Sequence, residues 1–261
     1  MRVNYLISQL VLPLCYMKII KFDAIDSTNT FLKDMADNMP VENYTVILAK
    51  HQTSGRGQMH TSWESEPGKN ITCSVFVRQD RLSISKQKYL NFAVAISIYN
   101  TLDQYSIPNL AIKWPNDIMA DGLKICGVLI ENTLKGASIA ASIIGIGINV
   151  NQAFLNNGVL KAVSMKDILH ANFNLEDIVV ALIQELKVNI QRLQQHYFQD
   201  IENEYLAVLY KKNVPCMFKT ARNNIFMGKI IGISSDGKLQ VALPDETVKE
   251  FGVKEVSLLM P

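Results

Sequence analysis

Hydrophobic positions change their spacing several times along the chain, and each change marks a different predicted element. Apolar runs rich in isoleucine and valine, separated by turn sequences, predict strands at residues 46–49, 71–77, 111–114, 127–130 and 138–150. Residues 89–102 are apolar on nearly every side, which is typical of a helix buried in a core. The order of these runs predicts a meandering mixed sheet with at least one buried helix.

Two other stretches combine helical spacing with a polar start signal. The sequence DSTN at residues 26–29 precedes apolar residues at helical spacing within 31–35, so a short helix is expected to begin there. A longer helix is expected from Leu175, because its apolar positions keep one face as far as Tyr197 and Asn174 supplies a capping side chain.

The pattern changes again near the C-terminus and suggests a division of the chain. Short strands follow residue 213, and the pair Asp236-Gly237 is a strong hairpin signal between two of them. We therefore expect an N-terminal extension at 1–16, a larger domain at 17–212 and a small β domain at 213–261. Either Met1 or Met17 fits as the natural start of the chain.

Composition narrows the class of protein. The 261 residues are 48% hydrophobic and 19% charged, and 26 basic against 24 acidic residues leave a net charge of +2. This balance argues against a dedicated nucleic-acid binder, and no apolar run reaches the ~18 residues of a membrane span. The cysteines at 15, 73, 126 and 216 are widely separated, and no histidine has metal-ligand spacing. Reduced thiols in a cytoplasm and no metal site are expected.

The stretch SGRGQMHTSW at residues 54–63 is the first candidate for ligand binding. Glycines such as Gly55 and Gly57 let backbone N–H groups approach a ligand closely, and Arg56 offers a fork of donors to phosphate or carboxylate. Ordinary tight turns also use glycines in this way, and that interpretation is favoured for the fragment taken alone.

Three later motifs add charged or polar groups at strand ends. In KWPND at 113–117, the proline ends strand pairing and holds a lysine and a carboxylate near one strand end. In LKICGVLIE at 123–131, Lys124 enters an apolar strand, where burial is costly without an anionic partner. In GIGINV at 145–150, glycines permit close approach and Asn149 can both donate and accept.

Each of these residues also has an ordinary structural interpretation, which is favoured for any one of them singly. Lys113 could face solvent, Asp117 could form a turn, Lys124 could extend its amine to the surface, and Asn149 could end a strand. The spacing of Gly145 and Gly147 is a weak nucleotide signal, because these glycines end a strand without opening a helix.

Together and in this order, the motifs resemble the biotin protein ligase family. The resemblance spans residues 23–150 and rests on 27–29, the GRG loop ending in Trp63, KWPND, LK-x-x-G-x-L-x-E and 147–149. It implies an α+β fold: a mixed-sheet catalytic domain of the biotin/lipoate ligase type, followed by a small C-terminal SH3-like β-barrel domain.

The resemblance also implies a two-step reaction. Biotin and ATP would form biotinyl-5'-AMP with release of pyrophosphate, and biotin would then pass to a lysine of a biotin carboxyl carrier domain. Mg²⁺ would accompany the ATP phosphates. The implied enzyme is cytoplasmic, is a monomer or a weak homodimer, and has neither a nucleic-acid nor a membrane partner. Few residues precede DSTN, so a helix-turn-helix repressor domain is not expected.

The family pattern assigns residues to three roles. Groups acting on the reacting atoms would be Arg56, Lys113, Asp117 and Lys124, with Lys124 bridging carboxylate and α-phosphate and Asp117 orienting the acceptor lysine. Biotin would be bound by Ser27, Thr28, Asn29, Gln52, Gly55, Arg56, Gly57, Lys124 and Gly127. ATP and the adenylate would be bound by Arg56, Gln58, Trp63, Lys113 and Asn149.

Departures from the family pattern leave alternatives open. Residues 58–61, QMHT, replace a more basic stretch with a third glycine, so Arg56 is the loop's only permanent charge and weaker adenylate retention is expected. The terminal SLLMP also lacks a basic residue that some members carry. A lipoate or octanoate ligase or transferase, and a non-catalytic biotin-binding module, are the alternative functions.

Overall fold

The computed structural model describes residues 6–10, 17–58, 61–153 and 162–259, without the side chains of 6–10 and of Arg81. Most of the expected N-terminal extension, together with Met59 and His60 of the GRG loop, therefore lies outside the described residues. Within the extension, residues 6–10 form a strand that pairs antiparallel with residues 17–21.

An eight-stranded mixed sheet forms the body of the protein. Its strands are β1 (Leu6–Leu10), β2 (Met17–Ile25), β3 (Val46–Gln52), β4 (Ile71–Ser83), β5 (Ala111–Lys113), β6 (Asp117–Ala120), β7 (Leu123–Lys135) and β8 (Ser138–Ile148). They lie in the order β1-β2-β3-β4-β8-β7-β6-β5. Among the pairings of these eight described strands, only that of β2 with β3 is parallel. The predicted strands and the mixed sheet are confirmed.

Helices cover both faces of this sheet. Helix α1 (Thr28–Asn38) packs on β3, β4 and β8 around a small core that includes Phe22, Leu32 and Phe76. On the other face, α2 (Gln87–Asp103) packs against α4 (Leu175–Gln194) over the main core. Because both faces are covered, the central strands are apolar in continuous runs rather than in alternation.

The helix predictions are confirmed with one correction. Ser27 caps α1 by accepting from the Thr30 N–H, and Asn174 caps α4. The predicted face extended to Tyr197, but α4 ends at Gln194 because His196 adopts a left-handed φ of 65°. The shorter helices are α3 (Met165–Leu169) and α5 (Phe198–Ala207). No helix in the described part of the chain is long and apolar enough to cross a membrane.

A second, five-stranded antiparallel sheet follows at the C-terminus. It consists of β9 (Pro215–Thr220), β10 (Ile225–Ile233), β11 (Leu239–Ala242), β12 (Val248–Phe251) and β13 (Val256–Leu258). The order is β12-β11-β10-β9-β13, and the predicted Asp236-Gly237 turn joins β10 to β11. The expected small β domain is therefore present as an open sheet, and an SH3-like barrel stays an expectation.

Candidate active site

A cavity of about 580 Å³ lies where the ends of β6, β7 and β8 meet the GRG loop and the C-terminal sheet. It gathers residues that are far apart in the chain. The predicted site residues that line it are Ser27, Thr28, Asn29, Gln52, Arg56, Gly57, Gln58, Trp63, Lys113, Asp117, Lys124 and Gly127. Gly55 and Asn149 do not line it. The motifs chosen from the sequence thus converge on one place.

Glycines on adjacent strands form the floor of the cavity. Gly127 of β7 and Gly147 of β8 are register partners, so they lie side by side. A Cβ atom on Gly147 would lie 2.3 Å from Cε2 of Trp63, and one on Gly127 would lie 3.0 Å from Nζ of Lys124. The absence of side chains at these positions leaves room for the indole and the lysine to lie directly over the sheet.

At one end, the cavity is lined by the uncharged side chains of Thr28, Asn29 and Gln52, which belong to a hydrogen-bonding network. Gln52 Oε1 accepts from the Thr28 N–H (2.8 Å) and from Thr28 Oγ1 (3.0 Å). The hydroxyl of Ser74 lies 2.7 Å from Thr28 Oγ1 and 2.5 Å from Asn29 Oδ1, and Asn29 Nδ2 donates to Glu131 at 2.8 Å. Uncharged donors and acceptors of this kind suit a neutral polar head group beside an apolar wall.

The other end carries paired charges. Lys124 Nζ lies 2.7 Å from Asp117 Oδ1 and 5.8 Å from the centroid of the Trp63 ring. Lys113 is the register partner of Asp117 across the β5–β6 hairpin, so a second lysine is held beside the same carboxylate. The expectation that Lys124 requires an anionic partner is confirmed.

The two sides of the GRG loop are hydrogen-bonded to each other in its described residues, 54–58 and 61–63. The Trp63 N–H donates to Gly55 O (2.9 Å), and the Gly57 N–H donates to Thr61 O (2.6 Å). A Cβ on Gly55 would lie 2.2 Å from Trp63 O, and one on Gly57 would lie 2.4 Å from Thr61 Oγ1. The loop is therefore a tight turn and also part of the cavity wall, so the two interpretations of its sequence are compatible.

Arg56 extends from this loop to the sheet. Its Nη1 and Nη2 atoms donate to Glu131 Oε1 (3.2 Å) and Oε2 (2.7 Å) in a two-pronged ion pair. Planar guanidinium and carboxylate groups match in this geometry. The sequence predicts no binding role for Glu131 or Ser74, although Glu131 is the last residue of the LK-x-x-G-x-L-x-E motif.

Asn149 occupies a different environment. Its buried amide donates to the backbone carbonyls of Lys124 (3.4 Å) and Val163 (3.2 Å), and its own N–H donates to Ile125 O. These bonds fix the end of β8 against β7. The suggested contact of Asn149 with adenine stays a prediction.

The C-terminal sheet forms one wall of the cavity, a contribution that the sequence does not predict. Val253, Lys254, Val256 and Leu258 line the cavity. Nearby, the Trp114 Nε1–H donates to Gly237 O at 3.1 Å, which ties the KWPND turn to the β10–β11 hairpin. Both sheets therefore shape the same cavity.

Two buried thiols, those of Cys73 and Cys126, lie at or near the cavity, and their burial lowers their reactivity. Cys73 lines the cavity, and burial raises the pKa of the Cys73 thiol to about 12. Burial likewise raises the pKa of Cys126 well above its usual range. Because the thiolate is the reactive form of cysteine, burial disfavours nucleophilic chemistry at both residues.

Gly145→Ala tests whether ligand binding requires the close packing of the Asn29 amide against the backbone of Gly145. A Cβ at Gly145 would lie 2.3 Å from Asn29 Oδ1, so the amide must move. Biotin is the ligand that the sequence resemblance implies, and we expect its affinity to fall about tenfold or more, because a displaced amide leaves a hydrogen bond unmade at a cost of roughly 1–3 kcal/mol. Titration calorimetry measures this change. The control is Gly232→Ala, where the new Cβ would meet only the end of the Gln240 side chain at 3.3 Å. Unchanged affinity in Gly145→Ala would show that the position of the Asn29 amide does not matter for ligand binding.

Comparisons with known proteins agree with this geometry. The profile of the biotin/lipoate A/B protein ligase family matches residues 21–149. The bifunctional ligase/repressor BirA of Bacillus spizizenii is 30% identical over 90% of this chain and 72% of its own. The biotin–[acetyl-CoA-carboxylase] ligase of Paracoccus denitrificans is 27% identical over 82% of this chain and 90% of its own.

A similar fold is found among solved structures. The biotin protein ligase of Aquifex aeolicus, solved in complex with biotin and ATP, has a TM-score of 0.75 at 22% identity. That match covers 93% of this chain and 99% of the other. Motifs, cavity and relatives lead to one conclusion: the chain belongs to the biotin/lipoate A/B protein ligase family.

Proposed function

We propose that this protein is an ATP-dependent biotin protein ligase. The observation that carries the proposal is the polarity of the cavity, which has neutral hydrogen-bonding groups at one end and lysines with a carboxylate at the other. The ureido ring of biotin is neutral and suits Thr28, Asn29 and Gln52. The biotin carboxylate would then reach the charged end, where ATP must meet it.

The first step joins two anions. An oxygen of the biotin carboxylate attacks the α-phosphorus of ATP, the bond to the β-phosphate oxygen breaks, and pyrophosphate leaves. Repulsion between carboxylate and phosphate must be offset by fixed cations. We assign this role to Lys124 first, with Arg56 and Lys113 beside it. Lys124 is already inside the cavity, so it requires only a change of partner from Asp117 to the arriving anions.

The second step requires a neutral amine. A free lysine has a pKa of ~10.4, so deprotonating the acceptor at pH 7 costs roughly 4–5 kcal/mol. We assign to Asp117 the attraction of the incoming ammonium and the removal of its proton, once Lys124 has turned toward the adenylate. The amine then attacks the acyl carbon, and AMP leaves. The exchange of partners would make Asp117 available only after the first step.

The ATP phosphates require a counter-ion, which the family resemblance identifies as Mg²⁺. Among the residues that the structure describes, no group of three or more His, Cys, Asp or Glu side chains is arranged to hold a metal ion. We propose that Mg²⁺ arrives on the ATP phosphates as part of the substrate. Trp63 would pack against the adenylate, and Gln58 and Asn149 complete the proposed nucleotide contacts.

The proposed acceptor is the lysine of a biotin carboxyl carrier domain. We further propose that the protein acts in the cytoplasm, where ATP is available and thiols stay reduced; the described cysteines at 73, 126 and 216 form no disulfide. A monomer or weak homodimer stays our expectation for the oligomeric state.

Pyrophosphate release separates this function from its alternatives. The purified protein is mixed with ATP and biotin, lipoate or octanoate in parallel. Release with biotin alone supports a biotin ligase. Release with lipoate or octanoate instead would favour the related ligases, and tight biotin binding without release would indicate a binding module.

Gln58→Arg tests the effect of the loop's reduced charge. Gln58 lines the cavity, and an arginine there would add a charge-assisted bond to the adenylate phosphate. We expect biotinyl-5'-AMP to dissociate about tenfold more slowly, measured by chasing labelled adenylate, because such bonds contribute roughly 1.5–3 kcal/mol. The control is Gln199→Arg on α5. An unchanged dissociation rate in Gln58→Arg would contradict the proposed contact.

A further inference from the structure

One carboxylate connects the GRG loop with the polar end of the cavity. Glu131 Oε2 accepts from both Arg56 Nη2 (2.7 Å) and Asn29 Nδ2 (2.8 Å), while Oε1 accepts from Arg56 Nη1 (3.2 Å). Arg56 belongs to the loop, Asn29 to α1 and Glu131 to β7. Three separate elements therefore meet at a single side chain.

The bond to Glu131 decides which way the Asn29 amide faces. An amide has a donor end and an acceptor end, and the two ends cannot exchange without losing their partners. With Nδ2 directed at Glu131, Oδ1 faces the Ser74 hydroxyl at 2.5 Å, above Gly145. Asn29 is 3% exposed, so a reversed amide would place its carbonyl oxygen against the Glu131 carboxylate, acceptor against acceptor, in a buried position.

The same carboxylate directs Arg56. The side chains of Arg56 and Glu131 are 42% and 27% exposed, so the pair lies at the rim and its direct contribution to folding stability is small. The pair nevertheless fixes the orientation of the guanidinium, because both terminal nitrogens donate to the same carboxylate. A guanidinium has five N–H donors, and the donors not used by Glu131 stay available to a ligand.

We propose that Glu131 is a positioning residue that links the placement of Arg56 on the GRG loop to the recognition of biotin by Asn29. It contacts no reacting atom. It holds Arg56 at the cavity rim and orients the Asn29 amide inside the cavity. One carboxylate therefore fixes the positions of both side chains. This inference rests on the proposed ligase function.

Glu131→Gln tests the coupling with little change of shape. The glutamine has one acceptor oxygen and one NH₂ group, so in either orientation it loses the two-pronged pair with Arg56. If the NH₂ group takes the place of Oε2, the bond from Asn29 is lost as well. We expect the KM for biotin to rise about tenfold and the adenylate to dissociate about tenfold faster, while kcat for pyrophosphate release changes less than about threefold. The matched control is Glu176→Gln, which removes a 2.7 Å ion pair with Lys21 and should leave all three constants unchanged.

Combining variants separates positioning from a general structural role. If Glu131 acts on the adenylate only through Arg56 and Asn29, adding Glu131→Gln to the double variant Asn29→Ala/Arg56→Gln releases adenylate no faster than that double variant alone. Independent, multiplied effects would overturn the proposal. Kinetic constants for Glu131→Gln equal to those of Glu176→Gln would also overturn it.

Trypsin cleavage provides a readout that does not require activity. Trypsin cuts after Arg56, and we expect cleavage there to be faster in Glu131→Gln than in the parent or in Glu176→Gln. Equal cleavage rates would contradict the anchoring of the loop by Glu131. If the parent released no pyrophosphate, the ligase function would fail, whereas the cleavage result would still report on Glu131.

Discussion

Replacing Lys124 by glutamine is expected to lower the rate of biotinyl-5'-AMP formation by at least about 100-fold, the effect of removing one donor from a developing charge. Glutamine can still donate a hydrogen bond, but it cannot neutralise the repulsion between a carboxylate and a phosphate. The loss should appear in kcat for pyrophosphate release, because the cation acts most strongly when the two anions approach each other.

The control for this variant is Lys135→Gln, an exposed lysine near the end of the same strand, β7. It should release pyrophosphate at the parental rate. Lys124→Gln also leaves Asp117 without its 2.7 Å partner, so the melting temperature of both variants should be measured. A folded Lys124→Gln protein that forms adenylate within about threefold of the parental rate would remove Lys124 from the first step.

Asp117→Asn is expected to separate the two half-reactions. Transfer of biotin from preformed biotinyl-5'-AMP to a carrier lysine should slow by about 100-fold, within the range that a positioned general base contributes. Asparagine is nearly isosteric, but it cannot take a proton or attract an ammonium. Single-turnover transfer with supplied adenylate isolates this step from the first one.

Two controls accompany the asparagine variant. Exposed Asp80 on β4 should tolerate the same substitution with no change in either half-reaction. Pyrophosphate release by Asp117→Asn should decline far less than transfer, because Lys124 retains its charge. Transfer at the parental rate would show that the acceptor lysine loses its proton elsewhere.

Local sequence patterns predicted the main elements because those elements depend on short-range information. Continuous apolar runs located the central strands, and Asn174 located the start of α4. The end of α4 was misplaced because Tyr197 continues the apolar face, whereas the left-handed backbone at His196 ends the helix. A conformational preference of one residue outweighed the periodicity there.

The site was predictable as a set of motifs but not as a network. Lys124 required an acid, and the β6–β7 hairpin brings Asp117 to it over a short stretch of chain. By contrast, Asn29 meets Glu131 across 102 residues and Ser74 across 45. No local pattern encodes such contacts, because they arise only when the sheet order places β4, β8 and β7 side by side under α1.

Mass spectrometry of an acceptor protein tests the ligase function most directly. The purified chain is incubated with ATP, Mg²⁺, biotin and a biotin carboxyl carrier domain, and the intact mass of that domain is followed alongside a version whose acceptor lysine is replaced by arginine. Addition of one biotinyl group to the lysine-bearing domain alone, dependent on ATP, is the predicted result. An unmodified domain under these conditions, or modification with lipoate and not with biotin, would contradict the proposed function.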